Sequence, residues 1–260
     1  MSIQAASRGT DARDADALAA DTGRLAPSGQ ALLGQALLGQ GLFGQGGHEP
    51  YARSLPLGLG CLTLRPASAC HETIGPVHFN VLGWSAPATA SERELLHTLR
   101  GPVLDVGCGP GRMLEAARDL GLASLGVDSS PAAVRLATAR GGAAILGSIF
   151  DPVPHEQGWG SALLLDGNIG IGGNIGVLLK RVASLLAPGG QVLAEAEGPD
   201  SLDVAYLAVL EDSDGRASAA FPWARAGAKA LALHAARAGL DTAVTRTLQD
   251  RVFLTLERRP

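Results

Sequence analysis

The sequence predicts an α/β domain built on a mostly parallel sheet with helices on both faces. Three observations carry that prediction. Short apolar runs at 103–106, 124–128, 143–146, 162–165 and 191–196 alternate with segments of helical periodicity. The first run, Val103-Leu104-Asp105-Val106, leads straight into glycines at alternate positions, Gly107, Gly109 and Gly111. The chain closes on two further apolar runs, 243–248 and 252–257, joined by Gln249-Asp250-Arg251 and read as an antiparallel hairpin.

With 260 residues the chain has room for one domain with a sizeable core and an extension. Its formal net charge of −4, with lysine only at Lys180 and Lys229, offers no electrostatic footprint for a phosphate backbone, so nucleic acid is disfavoured as a partner. No apolar run reaches membrane-spanning length, and the opening residues carry Arg8, Asp11, Arg13, Asp14 and Asp16 in place of a signal-peptide core. A cytoplasmic protein, monomer or homodimer, is expected, and the alanine-, glycine- and arginine-rich composition suggests a bacterial source. Cys61, Cys70 and Cys108 are too sparse for a disulfide framework.

Residues 1–48 are small, polar and glycine-rich, as in a disordered, low-complexity extension. Within them Leu-Leu-Gly-Gln recurs after Ala31 and Ala36, and Leu-Phe-Gly-Gln after Gly41. That five-residue period turns roughly 140° per repeat on a helix, so its leucines do not share a face. A linker is the simpler reading, and a segment that docks on the domain or a second copy is the sharper one.

A lead-in or lid segment occupies 49–92, with Pro50 placed to open a short helix and short strands at 57–64 and 77–82. Ser91 and Glu94 make a capping box for the helix that carries Leu95, Leu96 and Leu99. Cys61, Cys70, His71 and His78 raise a zinc question, but the spacing lacks a close cysteine pair, and no metal is expected.

The main domain is read as 93–260. Its first strand and glycine turn open a helix bearing Met113, Leu114, Ala116 and Ala117. The second strand ends at Asp128, nineteen residues beyond Gly109, and Ser129 or Ser130 caps the next helix with Pro131 in its first turn. The third strand is followed by Ser148, Ile149 and Phe150, and a proline-rich loop with His155 leads to the fourth, which stops at Asp166. Residues 167–174 hold too many glycines for a stable element, Asn174 caps the helix 175–186, and Ala187-Pro188-Gly189-Gly190 ends it ahead of the fifth strand. The insertion 198–240 reads as a helix at 200–210, a loop at 211–220, a rigid aromatic turn Phe221-Pro222-Trp223 and a helix at 224–238.

Glycines between a strand and a helix allow a ligand to approach the backbone. A dinucleotide site would place a third glycine where Arg112 stands, and no Gly-Lys-Ser/Thr follows to make a Walker loop. Val-Leu-Asp-Val-Gly-Cys-Gly-Pro-Gly-Arg resembles the signature of class I S-adenosylmethionine-dependent methyltransferases. Gly126-Val127-Asp128 after the second strand and Ala187-Pro188-Gly189-Gly190 before the fifth follow it in register. The resemblance covers about 93–197 and implies a Rossmann-like, seven-stranded sheet.

It further implies S-adenosyl-L-methionine as cofactor, with S-adenosyl-L-homocysteine as product. Asp105, Gly107, Cys108 and Gly109 would meet the amino-acid end, and Asp128 and Ser129 the ribose. Ser148 and Ile149 would meet the adenine, where many relatives carry an acid and this chain does not. Tyr51 and Arg53 resemble lid residues, and Asp166 and Gly167 would border the transferring methyl.

The acceptor side is less determined. Asp166-Gly167-Asn168-Ile169 lacks the prolines and aromatic of enzymes acting on nucleobases or protein glutamine, which leaves a small-molecule acceptor with an O, N or C nucleophile. Asn168, Ile169, Trp223 and Arg225 are the candidate acceptor contacts, and His155, Asp166 and Asn168 the candidate catalytic groups. His234, within a helical stretch, reads as a core or surface residue. Transfer mainly needs in-line positioning, and a general base helps only where the acceptor must lose a proton. A cofactor-binding scaffold without turnover is the alternative.

Overall fold

The computed structural model describes residues 49–68 and 74–259. The repeat within 1–48, and Cys70 and His71, lie outside the described residues. Of the other two candidate zinc ligands, Cys61 is an exposed thiol and His78 stands 3.1 Å from the Thr63 hydroxyl.

The five predicted strands form β3 (Val103–Val106), β4 (Ser124–Asp128), β5 (Ala144–Leu146), β6 (Trp159–Leu164) and β7 (Leu186–Ala196). With β10 (Leu240–Leu248) and β11 (Arg251–Arg258) they make a seven-stranded sheet in the order β10-β11-β7-β6-β3-β4-β5, antiparallel only at the closing hairpin. The Rossmann-like fold is therefore the observed one. The chain runs outward from β3 through β4 to β5, then returns to place β6 on the other side of β3. Ligands of such sheets sit at the strands' carboxyl ends where the order reverses, here between β3 and β6.

Crossover helices α4 (Arg112–Asp119), α5 (Pro131–Ala139) and α6 (Ile175–Leu185) turn apolar faces to the sheet. Ser130 caps α5 by accepting from the Ala133 N–H at 3.4 Å, and Asn174 caps α6 by accepting from Val177 at 3.1 Å. The strands beneath are buried on both faces, β3 and β6 along their whole length, as expected of parallel strands covered from both sides. Residues 186–190, expected to be a break, instead extend β7 before its apolar run.

The lead-in contributes α1 (Pro50–Leu57), β1 (Cys61–Pro66), β2 (Val77–Asn80), α2 (Val81–Ser85) and α3 (Ala90–His97). The expected second strand thus ends at Asn80, whose side chain accepts from the Leu82 N–H at 3.0 Å and starts a helical turn. The capping box of α3 is Thr89 with Glu92, two residues earlier than expected: Glu92 N–H donates to Thr89 Oγ1 at 3.2 Å, and Thr89 N–H to Glu92 Oε2 at 2.9 Å.

The main departure lies in 198–226. The expected helix is strand β8 (Asp203–Asp212), the aromatic turn is strand β9 (Phe221–Ala226), and the last helix starts later, as α7 (Ala228–Arg237). β8 alternates inward Tyr206, Ala208 and Leu210 with more exposed neighbours, a period-two pattern once it lies between β1 and β9. The resulting antiparallel sheet, β2-β1-β8-β9, joins the lead-in to the insertion. Its apolar face, with Leu62, Leu64, Tyr206 and Trp223, packs with Tyr51 and Leu55 of α1 into a cluster of its own.

The glycine-rich segment after β6 is a short 3₁₀ stretch (Asn168–Gly173) pressed against β9. A Cβ on Gly170 would fall 2.4 Å from the Ala224 carbonyl oxygen and 2.5 Å from the Trp223 ring. Gly170→Ala is therefore expected to destabilise the fold by about 1–3 kcal/mol, the range for overpacking a filled interior. Urea unfolding measures it, and a midpoint equal to the parent's would show that the two elements separate freely.

Candidate active site

A cavity of about 500 Å³ of empty volume, part of it open to solvent, lies at the carboxyl ends of β3 and β6. The glycine turn forms its floor. Gly107 and Gly109 have positive φ of 70° and 54°, a region that side-chain-bearing residues rarely adopt. A Cβ on Gly107 would come within 2.7 Å of the Asn168 amide, and one on Gly109 within 3.4 Å of the Tyr51 hydroxyl. Gly111 has a different task. A Cβ there would sit 2.8 Å from Ala137 of α5, so this glycine, though one position early, still lets α4 and α5 pack closely.

Two carboxylates support the turn. Asp128, at the end of β4, accepts from the Gly109 N–H at 2.9 Å and the Ser130 N–H at 2.8 Å. Burial pushes its carboxyl up to about 6 despite those donors. Asp105, in the middle of β3, is 4% exposed, and its Oδ2 has no hydrogen-bond partner. Burial raises it to about 7, with Asp166 and Asp128 adding to the effect and Arg112 opposing it. An orphaned carboxylate oxygen two residues before the turn that floors the cavity suits a ligand that brings its own cation. Asp128 has each oxygen tied once, leaving acceptor capacity for a pair of hydroxyls. The residues present thus fit the amino-acid and ribose ends of S-adenosylmethionine.

A charged network lies behind the cavity. Arg112, 8% exposed, is 2.7 Å from Glu92 Oε1 and 2.7 Å from Asp166 Oδ2. Arg251, at the start of β11, reaches Glu92 at 2.9 Å, Asp166 at 3.1 Å and Glu195 at 2.7 Å. Glu195 also accepts from the Asp166 N–H at 2.7 Å. Burial alone would raise Glu92, but the hydrogen bond and charge of Arg112 hold its carboxyl down at about 2.

The predicted residues divide by place. Tyr51, Gly107, Cys108, Gly109, Asp166, Asn168 and Trp223 line the cavity together. Burial pushes both the Tyr51 hydroxyl and the Cys108 thiol up, so both stay protonated. Ser129 follows Asp128 directly, whereas Ser148 Oγ accepts from the Phe150 N–H at 3.2 Å and Ile149 is buried in the main core. Gly167 takes positive φ beneath Glu197.

Three expected site residues lie away from the cavity lining. Ile169 is fully buried in the main core, because the 3₁₀ stretch turns it away from the cavity. Arg225 does not line the cavity. Its guanidinium pairs with Glu197 at 2.9 Å and donates to the Gly75 carbonyl at 3.0 Å. His155 precedes β6 and stacks edge-on to Trp159, so the strand's length, roughly 20 Å, separates it from the Asp166 end. His234 is paired with Asp203 at 2.9 Å.

Sequence reasoning missed Leu64, Phe79 and Trp84, which line the cavity from β1, β2 and α2. It also missed Glu92, Glu195 and Arg251. Trp84 and Phe79 are two of the chain's few aromatics, and their clustering before the glycine turn was the available signal.

Arg112→Leu would take one of two arginines from both Glu92, 3% exposed, and Asp166, and is expected to lose about 3–5 kcal/mol in chemical denaturation. A loss under about 1 kcal/mol would show that water reaches the network. Asp105 has the opposite sign from a salt-bridged acid. Its folded value lies above the unfolded 3.8, so its contribution is complete below that pH and fades as pH rises through about 7. Between pH 5 and 8 the ligand-free parent should lose about 2–4 kcal/mol that Asp105→Asn retains, as read by urea midpoints at the two pH values.

A family model described as a methyltransferase domain matches residues 104–194. No curated protein sequence matches the chain. Among solved structures, a SAM-dependent methyltransferase from Bacteroides fragilis, in complex with S-adenosyl-L-homocysteine, has a TM-score of 0.62 at 19% identity. The alignment covers 76% of this chain and 87% of that one. CalS10, an amino pentose methyltransferase from Micromonospora echinaspora solved with SAM bound, has a TM-score of 0.51 at 16% identity over 75% of this chain and 99% of its own. A methyltransferase from Methanosarcina mazei has a TM-score of 0.52 at 14% identity, covering 66% and 99%. At these identities the likeness is one of fold. The family model is seated on the strand, glycine turn and crossovers of that fold, so residues 104–194 are similar to a methyltransferase domain and the chain shares the fold of these enzymes.

Proposed function

We propose that the protein methylates a small molecule, drawing the methyl group from S-adenosylmethionine. The observation that carries this reading is the pairing of the orphaned, buried Asp105 carboxylate with a glycine turn whose Gly107 and Gly109 bring positive-φ backbone to the cavity. Bound S-adenosylmethionine supplies a methyl carbon already made electrophilic by its sulfonium.

The chain's own part is to bind, orient and exclude water. Asp105 takes the cofactor's ammonium group and Asp128 its ribose hydroxyls, with Ser148 and Ile149 beside the adenine. Asn168 holds the turn to the loop after β6, donating to the Val106 and Gly107 carbonyls at 2.8 and 3.0 Å. Tyr51 lies over Gly109 as part of a lid with α1. The acceptor enters beneath the second sheet, against Trp223 and the Asp166 end of the loop. No base is assigned, since the positioned nucleophile needs only to reach the methyl in line.

The cavity's size and enclosure by two sheets favour a small acceptor over a polymer. Among the described residues no helix is long and apolar enough to cross a membrane.

Asp128→Ala is expected to reduce S-adenosylmethionine affinity at least about a hundredfold, the scale of losing a charge-assisted bidentate contact. Isothermal titration of parent and variant decides it, and unchanged affinity would remove Asp128 from the site. Methyl transfer to a metabolite panel, followed with labelled cofactor, tests turnover itself.

A further inference from the structure

The cavity wall opposite the glycine turn is built from side chains that the cofactor assignment does not use. Leu64, Phe79 and Trp84 come from the second sheet and α2. The Phe79 and Trp84 rings pack at 5.1 Å, and Tyr51 meets Trp84 edge-on at 5.7 Å. Such a wall suits a flat or aliphatic ring.

The polar groups at the cavity select further. Asn168 uses both amide hydrogens on the Val106 and Gly107 carbonyls, which fixes its orientation and leaves only the acceptor Oδ1. Asp166 presents a carboxylate whose oxygens, bound by Arg112 and by Arg251, each keep a second lone pair for a donor. Arg112, the one cationic residue lining the cavity among the described residues, already bridges Glu92 and Asp166. Arg53 and Arg225, the arginines on the elements nearest the cavity, are paired with Asp212 and Glu197. An anionic acceptor would find no open counter-ion here. Leaving aside the two acids assigned to the cofactor, three carboxylates at the cavity and in the network behind it, Asp166, Glu92 and Glu195, share two arginines, Arg112 and Arg251. That surplus of negative charge and the electron-rich ring faces both favour a cation.

We infer that the acceptor is an amine carried on a ring or similarly apolar body, its N–H donors directed to Asn168 Oδ1 and Asp166 and its body held by Phe79 and Trp84. The inference rests on the methyltransferase reading. An amine that arrives protonated gives one proton to water, and its freed lone pair then forms the N–C bond as the C–S bond breaks with its electron pair left on sulfur. The product is a methylated ammonium.

Matched probes on the full chain saturated with S-adenosyl-L-homocysteine test this by ligand-detected NMR: 2-phenylethylamine, 2-phenylethanol and 3-phenylpropionate share a body and differ in charge and donors. The amine should bind at least about tenfold tighter than the carboxylate and measurably tighter than the alcohol. Phe79→Ala should weaken the amine about fivefold or more, and Phe79→Leu less, with the homocysteine titration of each variant reporting that it is folded. A carboxylate equal to or tighter than the amine, an alcohol that matches it, indifference to Phe79→Ala, or no binding by any probe overturns the inference. Failure of S-adenosyl-L-homocysteine itself to bind the parent is seen before any probe is added and overturns the methyltransferase reading beneath it.

Discussion

The buried ion network is the constraint on which the rest of the site depends. Glu92 comes from α3, Arg112 from the first turn of α4, Asp166 from the end of β6, Glu195 from β7 and Arg251 from the closing hairpin. Two arginines and three carboxylates therefore pin five separate elements at one point. Desolvating so many charges is expensive, and an apolar cluster of equal volume would commonly be as stable. The network contributes position: ion pairs and forked hydrogen bonds have directions, whereas apolar contacts tolerate sliding. Asp166 is held by its carboxylate through both arginines and by its N–H through Glu195, in a left-handed conformation with φ of 53°. A residue so conformed persists only where its surroundings over-determine it.

That position propagates to the cavity through close backbone approach. Asn168, two residues beyond Asp166, closes over Gly107, and Gly170 then sits against Trp223 and Ala224. The two glycine-rich segments thus do complementary work. One brings the backbone of the turn to a ligand and to Asn168, and the other lets the loop after β6 lie flat on β9. A methyl group at either contact would push apart the two sheets that enclose the cavity.

Legibility in the sequence followed contact distance along the chain. The parallel half was readable because each strand, turn and helix start is contiguous, with caps such as Asn174 and Ser130 marking the boundaries. The second sheet was not, because β8 pairs with β1 across some 146 residues, as in the Arg65–Glu211 contact. Taken alone, Val204, Ala205, Ala208 and Val209 satisfy helical spacing as readily as Tyr206, Ala208 and Leu210 satisfy strand alternation. Pro222 argued for a turn, yet β9 is an edge strand, where a proline's missing N–H breaks no ladder. The misplaced capping box has a similar origin. Thr89-x-x-Glu92 and Ser91-x-x-Glu94 are equally good locally, and a partner twenty residues on, Arg112, draws Glu92 inward.

The same division explains why the two ends of the site differ in what a reader of the sequence learns. The floor of the cavity is assembled from one strand–turn–helix unit supported by the acid closing the next strand, so it is written within about 103–128. The opposite wall of the cavity is assembled from α1, β1, β2, α2, β9 and the loop after β6, elements that meet only when the antiparallel sheet forms. Arg225 shows the consequence. By composition it is an attractive acceptor contact, but the pairing of β8 with β9 delivers it to Glu197, while its neighbour Trp223, one strand period away, lines the cavity. The lining of this wall is a property of sheet register: the register that sets Tyr206 opposite Trp223 decides which residues of the insertion face the cavity.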